Sequence, residues 1–327
     1  MRTLYIVAAV ASVGAAWNKP SDEPVILRGH SAGVTAVRFS PDDKWLVSSS
    51  LDGTVRLWSW PQGRSVRTLS YGAELYDVAV SPDGKLVSAA GDGRSVTVWN
   101  AATGARVRQI DVPALRSLSV TFASDKQLVI GSSDGRVRVV DVTSGRIEKE
   151  IKAGQEIFAV AVSHDGRYIA SGLPLALWDA ASGARVATPR GFAQGDVAFS
   201  NDGHWLASGE YTGGGRLFSV PSAELKSRLA TNEEKRIQGP KGASTIEASM
   251  PVTAVAFSPD NRVLATAGGD RRIQLWQISA DGASEKPLRV LEGHSMSVTG
   301  VSFSHGGESI ASSALDHTVR VWPTAIK

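Results

Sequence analysis

From position 34 to 39 the chain reads VTAVRF, with apolar and small or polar side chains in alternation. That period of two belongs to a strand with one buried face. Pro41, Asp42 and Asp43 interrupt it; WLVSSS follows at 45–50, then Asp52-Gly53, then TVRLW at 54–58. After Gly63 the chain runs into SVRTL at 65–69. β-Branched runs cut by Pro-Asp and Asp-Gly turns predict four short antiparallel strands in succession. The same profile returns as SPDGKLVSAA (81–90) with TVW (97–99), as SNDGHWLASGE (200–210), and as SPDNRVLATAGGD (258–270) with IQLW (273–276). No segment carries a convincing helical period.

The apolar residue before each Ser-Pro-Asp-like turn falls at Phe39, Val80, Phe122, Val162, Phe199, Phe257 and Phe303, at spacings of 41, 42, 40, 37, 58 and 46 residues. The stretch LRGHSAGVTAVRFSPDDKWLVSSSLDGTVRLW (27–58) is nearly rewritten as LEGHSMSVTGVSFSHGGESIASSALDHTVRVW (291–322). A period near 40 that opens on Gly-His and closes on Trp predicts an all-β, seven-bladed β-propeller of four-stranded antiparallel blades.

These repeats resemble the WD-repeat propeller family over residues 27–327, although the Trp-Asp pair itself stands only at Trp178-Asp179. The family's phasing leaves the outer strand of the last blade to the other terminus. The chain ends five residues after Trp322, and PVILR at 24–28 supplies the missing strand, so 24–28 is expected to pair with 318–322. Closure of that kind removes exposed sheet edges. The resemblance also implies that His30, Ser48, Asp52 and Trp58, and again His294, Ser312, Asp316 and Trp322, form buried hydrogen-bond tetrads with a structural role. Three departures stand out. Ser171 to Trp178 is 7 residues, against 10 from Ser48 to Trp58, and Leu173-Pro174 replaces the Asp-Gly turn. Val140 and Phe218 hold the tryptophan position in repeats three and five. The polar stretch at 231–249 accounts for the 58-residue spacing and reads as a long surface loop.

The expected organisation is an N-terminal apolar segment and linker at 1–23, then a propeller over 24–327 with its loop insertion at about 231–249. Residues 3–16 carry no charge and end on small residues, which fits a secretory signal; they also fit strands of a degenerate extra blade. The first reading puts the protein outside the cytoplasm after cleavage, the second inside. Fourteen residues are too few to span a bilayer, so no transmembrane span is expected. A net charge of +3 is too weak to imply a nucleic-acid partner. RVRQI (106–110) and RVRVV (136–140) alternate basic and apolar residues, as solvated sheet faces do. The absence of cysteine excludes disulfides, thiolate chemistry and zinc-cysteine sites.

Ser, His and Asp together invite a hydrolase reading. Here the set occurs twice and lacks a strand-turn-helix nucleophile elbow, so no catalytic residue is assigned. No histidine pair has ligand spacing, the Asp-Gly pairs lack calcium-loop spacing, and Gly213-Gly214-Gly215 lacks the Lys of a phosphate loop. No metal or cofactor is expected. There remains the rim. In the resembling family, partners touch residues that open the innermost strand. Carried across, the large and charged ones are Glu74, Tyr76, Arg116, Leu118, Glu156 and Phe158. The expected function is a non-catalytic protein-interaction scaffold, a monomeric ring within a complex, that binds a peptide or partner domain on this rim. The alternatives are a structural subunit gripping partners by its sides or by 231–249, and an enzyme or small-molecule binder at the channel mouth, for which only Glu74 and Glu156 could serve.

Overall fold

The computed structural model describes residues 23–190, 194–211, 214–229 and 250–324; the expectations for 1–16 and 231–249 lie outside them. The described residues form seven antiparallel sheets in a ring, and none of them is helical. Blades 1 to 6 span 34–70, 75–111, 117–152, 160–187, 197–229 and 252–291, each running in chain order from the axis outward. In blade 6 the third strand also carries a short hairpin to Gly282–Ala283, and Arg289–Leu291 forms the outer strand.

Blade 7 joins Val298–Phe303, Ser309–Ala314 and Thr318–Pro323 to the N-terminal strand Val25–Arg28. Val25 lies opposite Val321 and Arg28 opposite Thr318, so the ring closes by strand exchange between the termini, as the missing outer strand required. The closing seam is fastened elsewhere too. The Asp43 carboxylate of blade 1 accepts from the His305 and Gly306 amides of blade 7, each at 2.7 Å.

Every core cluster of the described residues lies on a seam between two neighbouring blades, so no blade can bury its apolar face alone. The smallest is that between blades 4 and 5, built on Ala159, Ala170, Leu175, Val197, Leu206 and Phe218. Blade 4 has the fewest strand residues of the ring, and its chain turns at Leu173-Pro174 where blades 1 to 3 use Asp-Gly.

A second fastening runs around the circumference. One position of the outer strand reaches the turn of the next blade. Arg67 donates to the Ala102 and Thr103 carbonyls, Arg108 to Thr143, Lys149 to Ala180 and Ala181, and Arg289 to Pro323 and Thr324. Ser227 of blade 5 does the converse, accepting from the Ala283 amide at 2.9 Å.

Candidate functional site

The two tetrads lie within blades 1 and 7, between the approach to the innermost strand and the third strand. His30 precedes the innermost strand, Ser48 lies on the second, Trp58 on the third, and Asp52 in the turn between those two. His30 Nδ1 is 2.8 Å from Asp52 Oδ2, and its Nε2 is 2.8 Å from Ser48 Oγ. A carboxylate only accepts, so Nδ1 carries the proton and Nε2 accepts from the serine hydroxyl. Ser48 in turn accepts from the Trp58 indole at 2.9 Å, giving a relay Trp→Ser→His→Asp. The second copy repeats it at 2.9, 2.8 and 2.9 Å among His294, Asp316, Ser312 and Trp322.

Burial lowers the His30 pKa, outweighing the raising influence of Asp52, so the imidazole is neutral at pH 7. Burial alone would raise Asp52, but bonds from Thr54, His30 and the Ser31 amide bring it down to about 2. Asp316 is likewise at about 2, burial being outweighed by Thr318 and His294. The Gly of each Gly-His pair has a steric reason. A Cβ on Gly29 would lie 2.9 Å from Arg56 Nη1 and 3.2 Å from the Trp58 ring. Both serine hydroxyls are enclosed and committed, so no nucleophile is presented.

Other blades keep fragments of this device. Trp178 donates to Ser171 and Trp276 to Thr266, each at 2.9 Å. Blade 3, without the His, buries Arg138 instead. Its Nε is 2.8 Å from Glu150, and its terminal nitrogens fork onto Asp134. This corrects the solvated-face reading of RVRVV, since the outer strand lies over Arg138 and supplies Glu150 as its counter-ion. In blade 5 the buried Glu210 pairs with Arg216 at 3.0 Å.

The rim candidates belong to blades 2, 3 and 4. Tyr76 donates to Asp92 at 2.7 Å. Burial and then the Asp92 carboxylate push its phenol up to about 12, against a small opposing influence of Arg116. Asp92 and Arg116 pair through their main chains across the seam between blades 2 and 3. Arg116 Nη2 then meets Glu156 Oε1 at 2.9 Å, across the next seam. Asp92, Tyr76, Arg116 and Glu156 therefore form one polar line over three blades. Phe158 stands beside it at 39% exposure, and Glu74 is exposed in the loop before Tyr76. Leu118 is only 7% exposed; it is a wall of the patch and offers almost no surface to a partner, contrary to its expected place among the contacts. Sequence reading missed Asp92 and Leu115. Leu115 is 69% exposed, and lies in the loop before the innermost strand, where strand phase says nothing.

Below the rim, Arg38 and Asp77 of two innermost strands and Asp196, which immediately precedes the innermost strand of blade 5, form a second charged group. Arg38 Nη2 lies 3.5 Å from Asp77 Oδ1, and Asp77 Oδ2 accepts from Ser119 Oγ at 2.9 Å and the Val120 amide at 3.0 Å. Ser119 Oγ accepts from the Val160 amide, so the line links blades 1 to 4. From blade 5, Asp196 faces the same charges. Burial pushes it up to about 6; Arg38 opposes this and Asp77 reinforces it.

The family model "WD domain, G-beta repeat" matches residues 22–59, 63–100, 242–277 and 285–323. A "Cytochrome D1 heme domain" model also matches 90–177. The residues there do not suit a haem: the stretch holds no Cys or Met, its one histidine, His164, stands exposed in a surface turn, and the ring of its one tyrosine, Tyr168, is covered by the Arg167 guanidinium. The chain is similar to apoptotic protease-activating factor 1 of Rattus norvegicus, at 26% identity over 79% of this chain and 17% of the relative. It is similar to transcription initiation factor TFIID subunit 5 of Caenorhabditis elegans, at 32% over 59% and 31%. It also matches U3 small nucleolar RNA-associated protein 21 of Saccharomyces cerevisiae, at 54% over 11% and 4%. The chain thus spans less than a third of the length of each of these three. Among the described residues no helix is long and apolar enough to cross a membrane.

Proposed function

Because the chain belongs to the WD-repeat β-propeller family, we propose that it is a non-catalytic interaction scaffold that grips a peptide or partner domain on the rim of blades 2 to 4. The observation that carries this reading is the line Asp92–Tyr76–Arg116–Glu156, flanked by the exposed Phe158 and Leu115. Each member of this line is tied to the next, which holds the side chains in place before a partner arrives, and aromatic and arginine groups are the usual anchors of such surfaces. Both charge signs are present within a few residues, which suits an extended peptide better than a phosphate backbone. The enzyme reading leaned on Glu74 and Glu156. Glu156 is engaged by Arg116, and Asp92, whose amide donates to the Glu74 carbonyl, is engaged by the Tyr76 hydroxyl.

Two of the relatives are named as subunits or associates of larger assemblies, a transcription factor complex and a small nucleolar RNA, which agrees with a scaffold. The test is recovery of native-host complexes on the wild-type chain and on Tyr76→Ala with Phe158→Ala. Loss of a specific partner from a variant that melts normally is expected. Full retention of every partner moves the working surface elsewhere.

A further inference from the structure

The seam between blades 4 and 5 lacks the circumferential fastening found at its neighbours. Opposite Leu177 of the third strand stands Ala187, at the position held by Arg67, Arg108 and Lys149 in blades 1 to 3. A methyl group cannot reach the next blade's turn, and the seam's core cluster is also the smallest. A cleft of about 480 Å³ opens there, lined by Thr188 and Arg190 of blade 4 and by Arg216, Phe218, Leu225 and Arg228 of blade 5.

The charges in this cleft are unusual. Arg216 and Arg228 lie directly opposite each other in the antiparallel register of blade 5. In blade 3 the equivalent pair is Arg138 and Glu150, joined at 2.8 Å. Like charges set opposite in a sheet repel. Arg216 also donates to the main-chain carbonyl of Arg190, and Arg190 lines the same mouth as a third arginine. Glu210 neutralises one of the three, leaving a local charge of +2 (three Arg less one Glu). Among the described residues no carboxylate pairs with Arg190 or Arg228, and the nearby Glu224 is taken by Lys226. The cleft of about 340 Å³ between blades 3 and 4 differs, because Glu148 and Lys149 line it together.

We propose that the cleft between blades 4 and 5 binds a dianionic phosphate monoester, its phosphate between Arg190, Arg216 and Arg228 and its organic body against Ala223 and Leu225. Two units of excess positive charge match a dianion, and guanidinium forks match phosphate oxygens in geometry. The apolar floor selects a monoester over free phosphate. The site is independent of the rim and stands or falls without it.

The test is titration calorimetry on the full chain at low ionic strength with phenyl phosphate, phenyl sulfate and inorganic phosphate. Phenyl phosphate should bind saturably, about tenfold tighter than phenyl sulfate, which has one charge fewer, and than inorganic phosphate, which has no body. Arg190→Ala and Arg228→Ala remove exposed side chains, and each should weaken it by about tenfold. Arg228→Glu copies blade 3; it should abolish binding and raise the unfolding midpoint. Hydrogen exchange on the wild type needs no variant: phenyl phosphate should protect amides at 214–218 and 225–229. No saturable binding, equal affinity for the three probes, unchanged affinity in both alanine variants, or protection only elsewhere would each overturn the assignment.

Discussion

Arg116 Nη2 and Glu156 Oε1 meet at 2.9 Å across the seam between blades 3 and 4, with 45% and 39% of their side chains still exposed. An ion pair so open to water contributes at most about 1 kcal/mol to folding. Its value lies in holding Arg116 in one position over the rim. Arg116→Ala should therefore shift the unfolding free energy by less than about 1 kcal/mol. On the scaffold reading it should weaken partner binding by about 2 kcal/mol, the scale of an arginine anchor. Exchanging the two charges, Arg116→Glu with Glu156→Arg, should restore the pair but not the partner. Urea unfolding beside quantitative pull-down separates the two effects.

Ring closure concentrates stability in a very short strand. Leu27 is buried in the cluster that joins blades 7 and 1, beside Trp58 and Val319. Leu27→Asp places an unpaired charge there and should cost about 3 kcal/mol or more. Deleting 1–28 should do worse, because it also bares the edge of Thr318–Pro323. Light scattering on heating should show association in both variants; a truncated chain that melts like the parent and stays monomeric would contradict the closure argument.

The ring and its closure were legible because each repeat encodes its own four strands, and because Phe39 and its six counterparts keep their phase. The tetrads were legible for the same reason: Gly-His, Ser, Asp and Trp keep fixed spacings at both ends of the chain. The substitutes in blades 3 and 5 were not. Arg138 meets Glu150 only because the third and outer strands pair in one register, and the alternation around it is the same as that of a solvated face. The rim was legible in part. Positions carried over from the resembling family include Tyr76 and Arg116 of the polar line, but they could not tell that Leu118 is buried or that Leu115 is exposed in a loop. The three arginines of the blade 4–5 cleft lie up to 38 residues apart (190 to 228) and share no motif.

The tetrads carry a pH dependence of known sign. The buried imidazoles of His30 and His294 titrate below their ordinary 6.5, so the unfolded chain binds protons first on acidification. Asp52 and Asp316 titrate at about 2 against an ordinary 3.8, with the same consequence lower down. Both contributions are complete above pH 6.5, begin to fall below it, and fall again from 3.8 towards 2. Asp316→Asn should destabilise the fold at pH 7 by about 2–4 kcal/mol, since it strips His294 of its carboxylate. It should also flatten the decline below pH 3.8. Urea midpoints from pH 3 to 8 on parent and variant give both readings, and parallel curves would show that Asp316 is not the titrating group.

Asp196 should behave in the opposite way. Its pKa is about 6 in the ring and 3.8 as an ordinary carboxylate, so between those values the folded state holds the extra proton. The contribution of a raised carboxylate is present below pH 3.8 and is lost as the pH rises through 6. Above pH 6 the ionised, partly buried group faces Asp77, and Arg38 offsets the cost only in part. Asp196→Asn keeps the oxygen that accepts from the Val197 amide at 2.9 Å and removes the charge. The variant should match the parent at pH 4 and exceed it at pH 8 by about 1–3 kcal/mol, the upper figure being the full shift and the lower one allowing for water in the channel. Arg38→Met should do the reverse, lowering stability at pH 8 more than at pH 4, because it leaves both aspartates without their cation. Equal effects at the two pH values, for either variant, would mean that these three residues do not share one electrostatic site.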